Sequence, residues 1–404
     1  MNSDLEKIQP YPFERLATLK AGVTPPKHLS HIALSIGEPK HAPPPFVLEV
    51  IKNSLAGYRA YPTTAGSDEL RDTCAHWLER RFGLGASAVR LANVLPVAGT
   101  REALFALAQA AIDRSTTGTR GAPLVAMPNP FYQIYEGAAL LAGAEPYFIE
   151  TPASNGFLPN LEAVPASAWD RIQLLYLCSP GNPGGAVMTI EAWRRVLALA
   201  ERHDFIVASD ECYTELYPDE SNPPPSLLSA AIADGRRGFE RCVAFHSLSK
   251  RSSLPGLRSG FVAGDALLLE SFLRYRTYHG CSLPLPTQAA SIAAWSDEAH
   301  VIENRRLYRE KFAKVMPILA PHLDFTAPEG GFYLWADTRG DDEIFVRELF
   351  ARENVTVVPG SYLARTVEGR NPGVSRVRIS LVASLDECVV AAERIARFAT
   401  THSR

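Results

Sequence analysis

Short apolar runs alternate with longer amphipathic stretches through the middle of the chain. Val94–Val97, Leu124–Met127, Tyr147–Ile149, Leu174–Leu177, Phe205–Ala208, Cys242–Phe245 and Leu257–Ala263 are short runs of apolar side chains, and each predicts a strand. Between them, Glu102–Ile112, a segment ending at Leu141, and Ile190–Arg202 keep helical spacing. Strands separated by helices predict an α/β fold, a doubly wound domain with a mainly parallel sheet. In such sheets ligands sit beyond the carboxyl ends of the strands. Gly99, Tyr132, Asn182, Asp210, Tyr213 and Lys250 each fall just past an expected strand end. That convergence carries more weight than any one of them.

The flanks read differently. Phe13–Ala21 is a short amphipathic arm, Ile32–Ile36 a strand, and Pro45 opens a helix over Phe46–Leu55. Ser67 caps a helix whose apolar face holds Leu70, Cys74, Trp77 and Leu78. After about residue 283 the pattern becomes helix (Thr287–Trp295), long charged helix (Glu298–Ala320), strand (Gly331–Ala336), helix (Asp342–Arg352), strands (Thr356–Val358 and Val377–Leu381) and helix (Leu385–Thr400). The expected organisation is an arm with part of a small domain over 1–44, a large α/β domain over 45–283, and a small α+β domain over 284–404.

Composition narrows the class. The 404 residues are 46% hydrophobic and 21% charged with a net charge of −3, a globular balance without the basic footprint of a nucleic-acid or membrane-surface binder. No apolar run approaches the roughly 20 residues that span a bilayer. The start, Met1 to Lys7, lacks the basic and apolar parts of a signal peptide, so a cytoplasmic protein is expected. The six cysteines are scattered, none in metal-ligand spacing, which predicts reduced thiols and no metal site.

One stretch stands out chemically. Between Lys52 and Lys311 the only lysine is Lys250, although arginine is used freely. It sits among Ser247, Ser249, Ser252 and Ser253, just after the apolar Val243–Phe245, with Arg258 eight residues on. An amine can lose its proton and form a Schiff base; a guanidinium cannot. A lone lysine in a turn is more often a surface cation, and the setting argues against that here. Likewise, a carboxylate directly after Phe205–Ala208 makes Asp210 unlike a surface-turn residue. The small-residue turn Ala98-Gly-Thr-Arg101 before a buried helix offers free backbone N–H groups to an anion, although a plain connection fits that turn equally well.

Four motifs, Ser179-Pro-Gly-Asn-Pro-Gly-Gly185, Ser209-Asp-Glu-Cys-Tyr213, Ser247-Leu-Ser-Lys250 with Arg258, and Arg378-Ile-Ser380, together resemble the ordered signature of fold-type-I pyridoxal-phosphate-dependent aminotransferases of classes I and II. The resemblance spans essentially the whole chain. It implies that Lys250 holds pyridoxal 5′-phosphate covalently and later carries the proton at the substrate α-carbon. Asp210 would face the pyridine nitrogen, Tyr213 and Asn182 the 3-oxygen, and Tyr132 the ring. Gly99, Thr100, Arg101, Ser247, Ser249 and Arg258 would hold the phosphate. Arg378 would clamp the substrate carboxylate, with Asn182 beside it and the Gly37 backbone N–H assisting. Tyr61 would reach the phosphate of a neighbouring subunit, implying a homodimer. Pro183 and the glycines of that loop would let the backbone approach the ring.

Two departures stand out: Asn182-Pro-Gly-Gly185 where Asn-Pro-Thr-Gly is common, and Ala98 where a polar residue is frequent. Gln9–Leu16, Ala33–His41, Tyr61–Thr64 and Gly99–Phe105 further resemble bacterial N-succinyldiaminopimelate aminotransferases. That implies transfer of the amino group of L-glutamate to N-succinyl-2-amino-6-oxopimelate, in two half-reactions through pyridoxamine phosphate. Alternatives are another common amino acid such as aspartate, a C–S lyase, or a non-catalytic pyridoxal-phosphate-binding regulator. The first forty residues are too short and not basic enough for a regulator's DNA-binding domain. No GxGxxG opens a βαβ unit, which disfavours a nicotinamide dehydrogenase.

Overall fold

The structure is a computed structural model and describes residues 1–116 and 121–402. Strand β1 (Ile32–Ala33) lies outside the main sheet. Strands β2 (Val94–Val97), β3 (Leu124–Asn129), β4 (Glu145–Glu150), β5 (Ile172–Cys178), β6 (Ile206–Asp210), β7 (Cys242–Ser247) and β8 (Gly260–Gly264) form one sheet in the order β2-β8-β7-β6-β5-β3-β4. Strands β3 to β7 pair in parallel, and β8 runs against both β7 and β2. Strands β3 and β7 are buried along their whole length, as apolar runs covered by helices on both faces should be. The capping Ser67 hydroxyl accepts from the Leu70 N–H, and the Thr189 hydroxyl does the same for Ala192 at the head of the helix Ile190–His203.

The C-terminal part adds β9 (Tyr333–Asp337), β10 (Val355–Thr356), β11 (Val358–Pro359) and β12 (Arg376–Ser380). Here β12 is the centre of an antiparallel sheet between β11 and β9, while β10 pairs in parallel with β1. A separate apolar core, including Leu334, Val346, Leu349, Val377, Ile379 and Ile395, lies under this sheet. Leu16, on the arm helix Pro12–Lys20, joins it.

Several elements differ from expectation. The single strand expected over Thr356–Val358 divides at Val357, its halves serving two different sheets. The strand expected from Leu257 begins at Gly260, because Pro255–Leu257 is a 3₁₀ turn and Arg258 takes a left-handed conformation. Beyond the short helical turns Ala166–Trp169 and Leu248–Arg251, the helices Leu227–Ala233 and Ala266–His279 also depart from the sequence pattern. Within the latter only Leu269, Phe272 and Arg276 are buried, so its apolar stripe is thin. The helix Leu285–Ser296 follows the expected boundary at 283, yet its Ala290, Ala294 and Trp295 pack into the core of the large sheet with Trp77. No helix among the described residues is long and apolar enough to cross a membrane.

Candidate active site

Sheet register builds the site. Cys178 pairs with Asp210, and Asp210 with Phe245, so β5, β6 and β7 end side by side. Gly260 of β8 pairs with both Ser247 and Val97, which draws Ser247, the turn Ala98–Thr100 and Arg258 to the same edge. A cavity of about 480 Å³ opens there. Gly37, Thr100, Arg101, Tyr132, Asn182, Asp210, Tyr213, Ser247, Ser249, Lys250, Arg258 and Arg378 all line it. Gly99 stands directly behind the Arg258 guanidinium: its φ is +88°, and a Cβ there would collide with Arg258 Nη2. Tyr61 is the exception. It is fully exposed and lies outside the cavity of its own chain.

Lys250 rides on a single helical turn, Leu248–Arg251, capped by the Ser247 hydroxyl, which accepts from the Ser249 N–H at 3.1 Å. Its amine donates to the Gly37 carbonyl at 2.6 Å. Burial lowers its pKa to about 8; the Arg378 guanidinium pushes the same way, and the Asp210 and Glu38 carboxylates oppose. An amine so tuned exists partly as the free base near neutral pH.

Asp210 ends β6 and is buried, which raises its pKa. The carboxylate is held from two sides, by the Tyr135 hydroxyl donating to Oδ2 at 3.0 Å and the Cys212 N–H donating to Oδ1 at 3.3 Å. Tyr135 in turn stacks on Tyr176 with ring centroids 4.7 Å apart. The Tyr213 hydroxyl meets that of Tyr333 at 2.9 Å.

Arg378 leaves β12 for the cavity. It donates to Asn182 Oδ1 at 3.0 Å and to the Ser35 carbonyl at 2.8 Å, while its Nε is buried with no partner. Arg258 donates to the Pro255 carbonyl at 2.8 Å. A third guanidinium, Arg101, donates through Nε to the Tyr132 hydroxyl at 2.6 Å and is otherwise exposed.

Three points depart from the sequence reading. The Gly37 group engaged within the chain is its carbonyl, and a Cβ at Gly37 would overlap the Tyr333 hydroxyl. The glycines after Pro183 serve packing: Gly184 lies against Phe157, and Gly185, with φ +72°, against Pro328 and the Gly330 carbonyl. His279 and Cys281 come within ligand distance of each other and of Glu102, which already pairs with Arg276. Tyr135, Tyr333 and Ser35 were not singled out. Tyr135 lies in the first turn of the helix Gln133–Leu141, three residues after its extended N-cap Tyr132; Tyr333 and Ser35 are brought in only by tertiary pairing.

The family model for Aminotransferase class I and II matches residues 30–395. The chain belongs to that family. The aminotransferase is 34% identical to a probable aminotransferase of Mycobacterium tuberculosis over 95% of this chain and 84% of that one. It is 30% identical to an LL-diaminopimelate aminotransferase of Nitratidesulfovibrio vulgaris, over 97% of both chains. A crystal structure of an aminotransferase from Neisseria meningitidis superposes with a TM-score of 0.93 at 47% identity, covering 98% of this chain and 99% of that one.

The enzyme is thus a pyridoxal-phosphate-dependent transaminase acting on small amino and oxo acids. The cavity suits that cofactor. It offers a buried amine for a covalent bond, a buried carboxylate for a ring nitrogen, and a guanidinium with hydroxyls at a helix start for a phosphate. The Arg378 guanidinium lines the same cavity.

Proposed function

We propose that this aminotransferase moves the amino group of L-glutamate to N-succinyl-2-amino-6-oxopimelate, with Lys250 as covalent anchor and proton carrier. The arrangement of three guanidinium groups around one buried amine is the observation that supports it. Arg258, with Ser247, Ser249 and the Gly99–Arg101 turn, would hold the phosphate. Arg378 would take the α-carboxylate in a two-pronged bond that a lysine makes poorly. Arg101 is left, its outer nitrogens unengaged, for a distal anionic group.

When bound, pyridoxal phosphate supplies the electron sink for the pair left at the substrate α-carbon. Asp210 would keep the ring nitrogen protonated. Its two donors, Tyr135 and Cys212, hold the carboxylate in place, and such charge-assisted bonds are worth about 1.5–3 kcal/mol each. The Lys250 amine would take the proton at the substrate α-carbon; positioned transfer of this kind contributes roughly 10²–10⁴-fold. Tyr213 and Asn182 would donate to the 3-oxygen, and Tyr132 would cover the ring.

Leu55 and Tyr58 are exposed on the 3₁₀ segment Leu55–Arg59, whose Gly57 lies against the partly exposed Leu285 and against Pro286, and the exposed Tyr61 follows two residues beyond that segment. Such a surface favours a homodimer in which Tyr61 serves the partner's phosphate site. A second reading, direct use of LL-diaminopimelate, is favoured by the curated relatives that carry that name.

The test is glutamate-dependent transamination across a panel of oxo acids, run in parallel with LL-diaminopimelate as donor to 2-oxoglutarate. Turnover of the succinylated compound well above that of oxaloacetate is expected. Turnover of LL-diaminopimelate alone would replace the first reading with the second.

A further inference from the structure

Behind Lys250, on the side away from its amine, lies a polar chain that the roles above leave unused. The side-chain amide of the buried Asn304 donates to two consecutive carbonyls, those of Lys250 at 3.0 Å and Arg251 at 3.1 Å. Both its protons are thereby committed, so Oδ1 can only accept. The atom facing Oδ1 is His41 Nδ1, at 2.7 Å, which must therefore carry a proton. His41 Nε2 stands 2.7 Å from Nζ of the buried Lys311, which has only protons to offer when charged. The geometry thus selects one tautomer of a neutral ring, Nδ1–H with Nε2 accepting. The His41 ring is also wedged against Tyr308, at 4.5 Å between centroids, and Tyr308 stacks on Phe332.

The same histidine ties down the segment that meets the Lys250 amine. Its carbonyl accepts from the Ser253 hydroxyl at 2.8 Å, and four residues earlier the Gly37 carbonyl accepts from Lys250 Nζ at 2.6 Å. Residues 37–41 are therefore strapped to the turn 250–253 at both ends, and His41 and Asn304 join the strap to the carbonyls of that turn.

We propose that His41 and Asn304 are positioning residues for Lys250, which fix the tilt of its helical turn and the distance of its amine from the Gly37 strap. The inference rests on the role proposed above for Lys250. Neither side chain lines the cavity, so both act through the backbone that carries the amine. A displacement of about 1 Å at a reacting group can cost on the order of 10²-fold in rate. The Arg378 side chain is itself held by Asn182 and the Ser35 carbonyl, not by His41 or Asn304.

The test combines wild-type holoenzyme with three variants. In ¹⁵N-labelled wild type, His41 is expected to show a protonated Nδ1 and a bare Nε2 at pH 7.5. An Nε2–H tautomer or an imidazolium there overturns the proposal, whatever the variants do. His41→Phe and Asn304→Leu are expected to lower kcat by roughly 10- to 100-fold, with KM for glutamate within about threefold of wild type. His41→Asn keeps a donor near the Nδ1 position and is expected to regain most of that loss. A folded His41→Phe enzyme with wild-type kcat also overturns it. Lys250→Ala, assayed alongside, separates the two readings: if it turns over, the role of Lys250 is wrong, and if it is inactive while His41→Phe is unimpaired, only the positioning claim falls.

Discussion

Lys250 is a charged residue held where charge is unwelcome, and that has a consequence measurable without cofactor. In the unfolded chain its amine titrates near 10.5, and in the fold near 8. Between those values the unfolded chain holds a proton that the folded chain does not, so the lysine's destabilising contribution fades as pH rises through that window. Below about pH 8 the full penalty is present. Lys250→Met should therefore make the cofactor-free enzyme more stable at pH 7, by on the order of 1–3 kcal/mol, and the gain should shrink towards pH 10. Denaturant midpoints of both proteins at the two pH values check this; an equal gain at both would contradict it. The lysine was legible in the sequence because it stands alone among arginines beside hydroxyl side chains. Its partner at 2.6 Å, the Gly37 carbonyl, was not, because it lies 213 residues away and offers only backbone.

The turns between elements show why some of the site could be read and some could not. Asp210, Asn182 and Lys250 follow apolar runs, so strand prediction alone put them on one edge. Tyr333, which meets the Tyr213 hydroxyl, depends on how β9 docks, and no local pattern encodes that. The division of 355–359 between two sheets was likewise hidden, since one apolar run serves two partners. Gly99 is a case where local and tertiary demands agree. Its φ of +88° disfavours any side chain, and Arg258 occupies the space a Cβ would need. Gly99→Ala should lower thermal stability and displace the guanidinium, raising the Kd for pyridoxal phosphate by roughly tenfold or more, the scale of a weakened charged contact. Titration of the apoenzyme followed by visible absorbance measures it. An unchanged Kd would mean that Arg258 does not hold the phosphate.

At the scale of the whole molecule, the large sheet supplies Asp210, Ser247 and Lys250, while the C-terminal sheet supplies Arg378 and Tyr333. Neither sheet alone completes the cavity. The exposed apolar side chains on Leu55–Arg59 and at Leu285 extend the same logic to a second copy of the chain. Light scattering should give twice the 44.2 kDa chain mass, and Leu285→Glu should shift the enzyme towards monomer with loss of turnover. A fully active monomer would remove the shared site. The role of Lys250 is reached directly by one measurement, borohydride reduction of the holoenzyme followed by peptide mass spectrometry. The prediction is a single pyridoxyl phosphate adduct on Lys250, with Lys250→Ala unlabelled and inactive. An adduct on any other lysine, or full turnover by Lys250→Ala, would contradict it.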